Sequence, residues 1–85
     1  MLQPKLTSVR PERGHVLYLE YDSGEPRRFD VSPYMNGSWY GELCEPTYFN
    51  AVRLLPGGGG IEWPHGQDIA PHELYDLSEP VARDA

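Results

Sequence analysis

His15-Val16-Leu17-Tyr18-Leu19-Glu20-Tyr21 is the most β-prone stretch of the chain, dense in β-branched, aromatic and aliphatic residues with no glycine or proline to interrupt it. Side chains of this kind fit the pleated, half-buried surface of a strand better than the crowded turn of a helix, so the segment reads as a strand beginning at His15. On its N-terminal side, Leu6, Ser8 and Arg10 alternate with Lys5, Thr7 and Val9 in a second β-prone run closed by Pro11, and Glu12, Arg13 and Gly14 form the intervening turn. On its C-terminal side, Asp22, Ser23 and Gly24 make a tight turn in which glycine supplies the positive φ a hairpin needs, and Arg27 to Val31 returns as the partner strand. Three extended segments joined by short turns predict an antiparallel sheet.

The remainder is punctuated by prolines and glycines. Ser32 before Pro33 is a helix-start pattern, with the Ser32 hydroxyl expected to cap a short turn that Asn36 and Gly37 stop. Trp39, Tyr40 and Leu43 are compatible with one helical face or a short extended run. Pro46 opens another turn, with Tyr48, Phe49 and Val52 facing inward. Val52 to Leu55 and Ile61 to Trp63 flank Pro56 and the glycines Gly57 to Gly60, a pattern that suggests a hairpin. A phosphate-binding loop would need a lysine and a hydroxyl after the glycines; Ile61, Glu62, Trp63 and Pro64 follow instead. Pro64, His65 and Gly66 end that strand. Pro71 starts a last helix in which Leu74 and Tyr75 face the core beside Leu77, and residues 79–85 read as a polar, frayed C-terminal tail. The fold expected is α+β: a small antiparallel β-sheet of short strands and hairpins, with two or three short helices packed against it, in one domain spanning residues 1–78.

Size and charge narrow the function classes. In 85 residues there is room for one core, and its limited burial makes added stabilisation by a homodimer plausible. Cys44 is the single cysteine, which excludes an intrachain disulfide and a thiolate zinc cluster and points to a reducing cytoplasm. No apolar stretch is long enough to cross a membrane, and Met1 followed by Gln3, Pro4 and Lys5 is unlike a signal peptide. The net charge of −6 arises late in the chain: residues 1–30 carry five basic and five acidic side chains, residues 31–85 two and eight. Neutralising phosphates requires lysine and arginine, so direct nucleic-acid binding is disfavoured, while the acid excess also serves solubility.

The ordered segments FDVSPYMNG, LCEPTYFNAVRL and GGIEWPHGQDIAPHELYDLS, from about Lys5 to Ser78, resemble the bacterial family known as domain of unknown function 2442. Its most specific pieces here are Asp30-Val31-Ser32-Pro33-Tyr34 and Trp63-Pro64-x-Gly66-x-Asp68 leading to Pro71, Leu74 and Tyr75. The resemblance implies a small α+β domain, alone or joined to a helix-turn-helix domain, often encoded beside a small toxin-like protein, and it implies no activity. No DNA-reading appendage is expected between the final helix and Ala85. Where the family pattern tends to have an aspartate before Pro46 and a serine before Pro71, this chain has Glu45 and Ala70, so both helix starts are expected to lose an oxygen cap worth about 1 kcal/mol.

Candidate chemistry is sparse. Glu62, His65 and Asp68 surround a Pro-Gly turn and carry metal-ligand donors, but the turn is expected to splay them, and no metal, cofactor or catalytic residues are assigned. Glu42 and Glu45 beside Cys44 oppose formation of a nucleophilic thiolate. Ser8, Ser23, Ser32, Ser38 and Ser78 lack the context of a nucleophile elbow. His15 reads as an edge or surface residue, and His72 and Glu73 as first-turn helix residues. Two tryptophans, six tyrosines and two phenylalanines are hard to enclose in so short a chain, and some of Trp39, Tyr40, Trp63 and Tyr75 are expected at the surface, where such rings favour recognition. The expected interaction surface is Trp39, Tyr40, Glu62, Trp63, His65, Asp68 and Tyr75. It belongs to a non-enzymatic protein-binding or regulatory module, an antitoxin-like partner of a small neighbouring protein; the alternative is a small-ligand or metal-binding domain around Trp63, His65 and Asp68.

Overall fold

A computed structural model describes residues 4–81. Strands β1 (Leu6–Glu12), β2 (Val16–Tyr21) and β3 (Pro26–Asp30) pair antiparallel in sequence order, as the hairpin signals predict. The strands differ in detail from the sequence reading, and β3 lies one residue earlier than expected. β1 continues through Pro11 to Glu12, because it is an edge strand and an edge can dispense with one backbone donor. β2 begins at Val16, since His15 takes a left-handed φ of 60° in the turn, with its ring edge-on to Phe49 at 5.1 Å. At the start of β1 the pairing slips between Leu6 and Ser8, and Thr7 donates from its hydroxyl to the Glu20 carbonyl at 3.0 Å. Leu6 and Val9 are three positions apart, and a regular strand would send them to opposite faces; the bulge turns both toward the core.

The alternation of β2 sorts the two faces of the sheet. Leu17, Leu19 and Tyr21 are buried, whereas Tyr18 points outward between the guanidinium groups of Arg10 and Arg28, whose centres lie 5.1 and 5.4 Å from its ring. After β3 the chain enters a 3-10 turn at Ser32–Tyr34. Its capping oxygen comes from Asp30, whose Oδ1 accepts from the Ser32 amide at 2.9 Å; Ser32 itself does not cap, because it already lies inside the turn. A second 3-10 stretch at Tyr40–Cys44 buries Leu43. Helix α1 (Pro46–Phe49) is capped after all, for the Glu45 side chain reaches back to accept from the Thr47 amide at 3.4 Å.

Strands β4 (Arg53–Leu54), β5 (Ile61–Glu62) and β6 (Asp68–Ile69) form a second antiparallel sheet, so the β structure is divided in two where one sheet was expected. The glycine run is the β4–β5 hairpin loop. Gly60, at φ 104°, packs so closely on the next strand that a Cβ there would stand 2.6 Å from the Ile69 carbonyl oxygen. Helix α2 (Pro71–Leu77) has no side-chain cap at Ala70, as expected. It buries Leu74 and leaves Leu77 61 % exposed, contrary to the inward placement read from sequence, because Leu77 is the last helical residue and the chain turns away there.

The expected tail is partly structural. Strand β7 (Glu79–Pro80) pairs with Arg27 and Arg28, extending the first sheet to the order β1-β2-β3-β7, so the ordered domain runs past residue 78; residues 82–85 of the expected tail lie outside the described residues. Arg27 fixes this junction, donating from Nε to Ser78 Oγ at 2.6 Å and from Nη2 to the Ser78 carbonyl at 2.7 Å. The small antiparallel α+β class is as expected, and among the described residues no helix is long and apolar enough to cross a membrane.

Inside the core, the Tyr21 hydroxyl is buried with no hydrogen-bond partner among the described residues, and burial pushes its pKa up to about 12. A hydroxyl stripped of water and unpaired costs stability, so Tyr21→Phe is expected to raise the midpoint of urea unfolding, by about 1 kcal/mol in free energy. A loss of stability in that variant would reveal a partner for the hydroxyl.

Candidate functional site

Gln67 is completely buried, and a buried amide must satisfy both its ends. Strand alternation explains its position, since it lies two residues before Ile69 on the inward face of the β6 segment. Its Nε2 donates to the Trp39 carbonyl at 2.9 Å and to Glu42 Oε1 at 2.8 Å, and its Oε1 accepts from the Tyr48 hydroxyl at 2.6 Å. The Tyr48 oxygen in turn accepts from the His65 amide at 2.8 Å, and the second oxygen of Glu42 meets His65 Nδ1 at 2.7 Å. The Tyr48 and His65 rings stack obliquely with centroids 5.1 Å apart. One buried amide therefore ties together the 3-10 stretch, α1 and the Pro64–Gly66 turn.

Trp39 is held on top of this network. Its carbonyl is fixed by Gln67, its indole lies beside Gly66 (a Cβ there would be 3.9 Å from two ring atoms), and yet the residue is 52 % exposed. Next to it, the half-buried Tyr40 donates to the Asp68 carbonyl at 3.1 Å. The structure thus brings together Trp39, Tyr40, His65 and Asp68, four of the seven residues expected at the surface.

The other grouped residues part company. Trp63 has no exposed surface: it is the pillar under the face, its indole N–H donating to the Phe49 carbonyl at 2.9 Å, so its place on the surface is corrected to the core. Glu62 adjoins Asp68 across the β5–β6 pair but turns its carboxylate to Arg53 at 2.6 Å. Tyr75 belongs to a separate cluster, edge-on to Tyr21 at 5.2 Å, under the Arg27 guanidinium and donating to Glu25 at 3.0 Å. The donors Glu62, His65 and Asp68 consequently do not converge, and among the described residues no three His, Cys, Asp or Glu side chains are grouped to hold a metal ion. Cys44 is exposed, and the His15 imidazole meets its carbonyl at 3.4 Å. What this arrangement supplies chemically is a rigidly mounted aromatic surface edged by carboxylates.

Sequence reasoning left Glu42, Tyr48 and Gln67 out of the candidate surface. The alternation that aligns Gln67 with Ile69 was a usable signal; nothing local marks Glu42 or Tyr48 as its partners. The hydrogen bond from His65, then that from Gln67, holds the Glu42 carboxyl below its ordinary pKa. A carboxyl whose pKa is lower folded than unfolded adds stability above its unfolded pKa, and that contribution disappears as pH falls through the folded value. Acid titration of stability should therefore show a component in the carboxylate range that Glu42→Gln lacks. Gln67→Leu should cost about 2 kcal/mol by leaving its partners unpaired, and should lower the fluorescence anisotropy of Trp39 as its backbone anchor is lost. Unchanged stability and anisotropy in Gln67→Leu would show the network to be incidental.

No curated protein and no solved structure matched the chain. Residues 6–80 match the family described as Protein of unknown function (DUF2442). That span begins with β1 and closes on β7, so it takes in both sheets, both helices and the whole Gln67 network. The chain is accordingly a member of the DUF2442 family.

Proposed function

We propose that the chain is a non-enzymatic protein-binding or regulatory module of the bacterial cytoplasm, an antitoxin-like partner of a small basic protein, and that Trp39 is the centre of its contact surface. The observation that carries this reading is the mounting of Trp39: half its surface faces water while its backbone is held by a buried amide. A large ring with only two side-chain torsions, carried on an anchored backbone, loses little entropy on binding, a property of frequent hot-spot residues. Charge supports a basic partner. From residue 32 to residue 78 the acidic side chains are Glu42, Glu45, Glu62, Asp68, Glu73 and Asp76, Arg53 is the sole lysine or arginine, and it is already paired with Glu62.

Co-purification at native abundance, followed by mass measurement of the intact complex, tests the proposal and reports homodimerisation at the same time. The expected result is a stoichiometric basic protein bound to the wild-type chain. Trp39→Ala should weaken the complex about thirtyfold while the chain stays folded, as loss of a hot-spot tryptophan does. Recovery of no stoichiometric protein, or full retention of it by Trp39→Ala, would refute the assignment.

A further inference from the structure

The first sheet is incompletely edged. β7 covers β3 only at Arg27 and Arg28, and the register that sets Arg28 against Glu79 would place Leu77 opposite Asp30. Leu77 is instead the end of α2, so no strand residue stands there. The Val31 amide donates to the His15 carbonyl at 3.0 Å, on the β2 side, and Asp30 faces Val16 in that ladder. In an antiparallel pair these bonds alternate, so the N–H and C=O of Asp30 point away from β2, along the line β7 has left. Beside them lies an open groove of about 560 Å³ lined by Val16, Phe29, Pro33, Tyr34 and Leu77 among others. Leu77, 61 % exposed, is one of two large hydrophobic residues on the surface of the described residues.

We infer that this groove is a docking site for an extended peptide segment of a partner, apolar within and basic at its flanks, which adds to β3 at Asp30. Extended backbone is the chemistry that matches one outward N–H and one outward C=O spaced as in a strand. The apolar lining and Leu77 take side chains from one face of that segment. Its flanking charge follows from the groove walls, where Asp30 and Glu79 are exposed carboxylates. Arg28, the only basic lining residue among the described residues, is engaged by Glu12 at 2.8 Å, and Glu73 beside the groove accepts from the Tyr34 hydroxyl. The inference stands on strand register and groove shape, independently of the role given to Trp39.

The test is an amide NMR titration of the whole chain with the capped peptide Lys-Val-Thr-Val-Lys, against the same peptide N-methylated at Thr and one with Glu at both flanks. Saturable shifts centred on Asp30 and Leu77, with slowed exchange of the Asp30 amide, are expected. N-methylation removes one backbone donor and should weaken binding about fivefold or more, and the Glu-flanked peptide should bind more weakly still. Leu77→Glu should abolish the shifts; Leu77→Ala, the milder change at this exposed site, should reduce affinity and serves if Leu77→Glu does not fold. Absence of shifts at Asp30, equal affinity of the N-methylated peptide, or a response centred elsewhere would overturn the inference. So would a concentration-dependent dimer that shifts Asp30 without peptide, since the groove would then belong to a second copy.

Discussion

Trp63 is the contact on which the rest of the structure hangs. It is the largest fully enclosed side chain, and each of its polar groups is matched locally: the indole N–H to the Phe49 carbonyl, the backbone N–H to the Gln67 carbonyl, the carbonyl to the Gly66 amide. Its ring lies 5.9 Å from that of Phe49, which touches His15 in the first hairpin turn. A single residue thus joins the small sheet, α1 and the β1–β2 turn. The cost of truncating a buried tryptophan, about 3–5 kcal/mol, is a large fraction of the stability a chain of this size is expected to have. The surface network inherits that rigidity, because the Pro64–Gly66 turn that carries His65 and flanks Trp39 is closed by the Trp63 backbone itself.

Parts of this were readable in advance because they depend on local chemistry. The three-stranded antiparallel unit follows from β-prone runs separated by turn residues, and the β4–β5 hairpin from a glycine run flanked by apolar segments. Elements that depend on distant partners were not readable. Pro80 and Glu79 carry no β propensity, and β7 exists because Arg27, more than fifty positions away, clasps Ser78. Leu77 has the spacing of a core residue, but its exposure is settled by where the chain leaves α2. Division into two sheets likewise depends on tertiary packing and leaves no mark in periodicity.

The candidate surface divides along the same line. The grouping of Trp39, Tyr40, His65 and Asp68 was reached from residue type and proximity in sequence, and the Pro-Gly turn brings two of the four together by itself. Aromatic content alone could not tell Trp39 from Trp63. The difference is alternation: Trp63 continues the inward positions begun at Ile61, whereas Trp39 sits at the start of a 3-10 stretch whose inward residue is Leu43. Gln67 was hidden for the opposite reason, a polar residue on an inward position, where sequence rules expect an aliphatic one. Buried amides of this kind become intelligible only when all their partners are in place.

A line of aromatic contacts runs from the β3 groove to Tyr40, the residue after Trp39. Tyr34, in the wall of the β3 groove, lies 5.5 Å from Phe29 and 6.2 Å from Tyr40, and Tyr40 adjoins Trp39 and is anchored to the Asp68 carbonyl. Burial first, then the hydrogen bond it donates to Glu73, raises the Tyr34 pKa to about 12, so this ring stays neutral and keeps its hydroxyl proton at any physiological pH. A partner strand seated at Asp30 would approach the aromatic contacts that run from Phe29 through Tyr34 to Tyr40. Backbone pairing at one end and ring contact at the other are different in kind, the first indifferent to side-chain identity and the second selective for it. On the two proposals taken together, the sheet edge would set the direction of a bound segment and Trp39 would read what it carries.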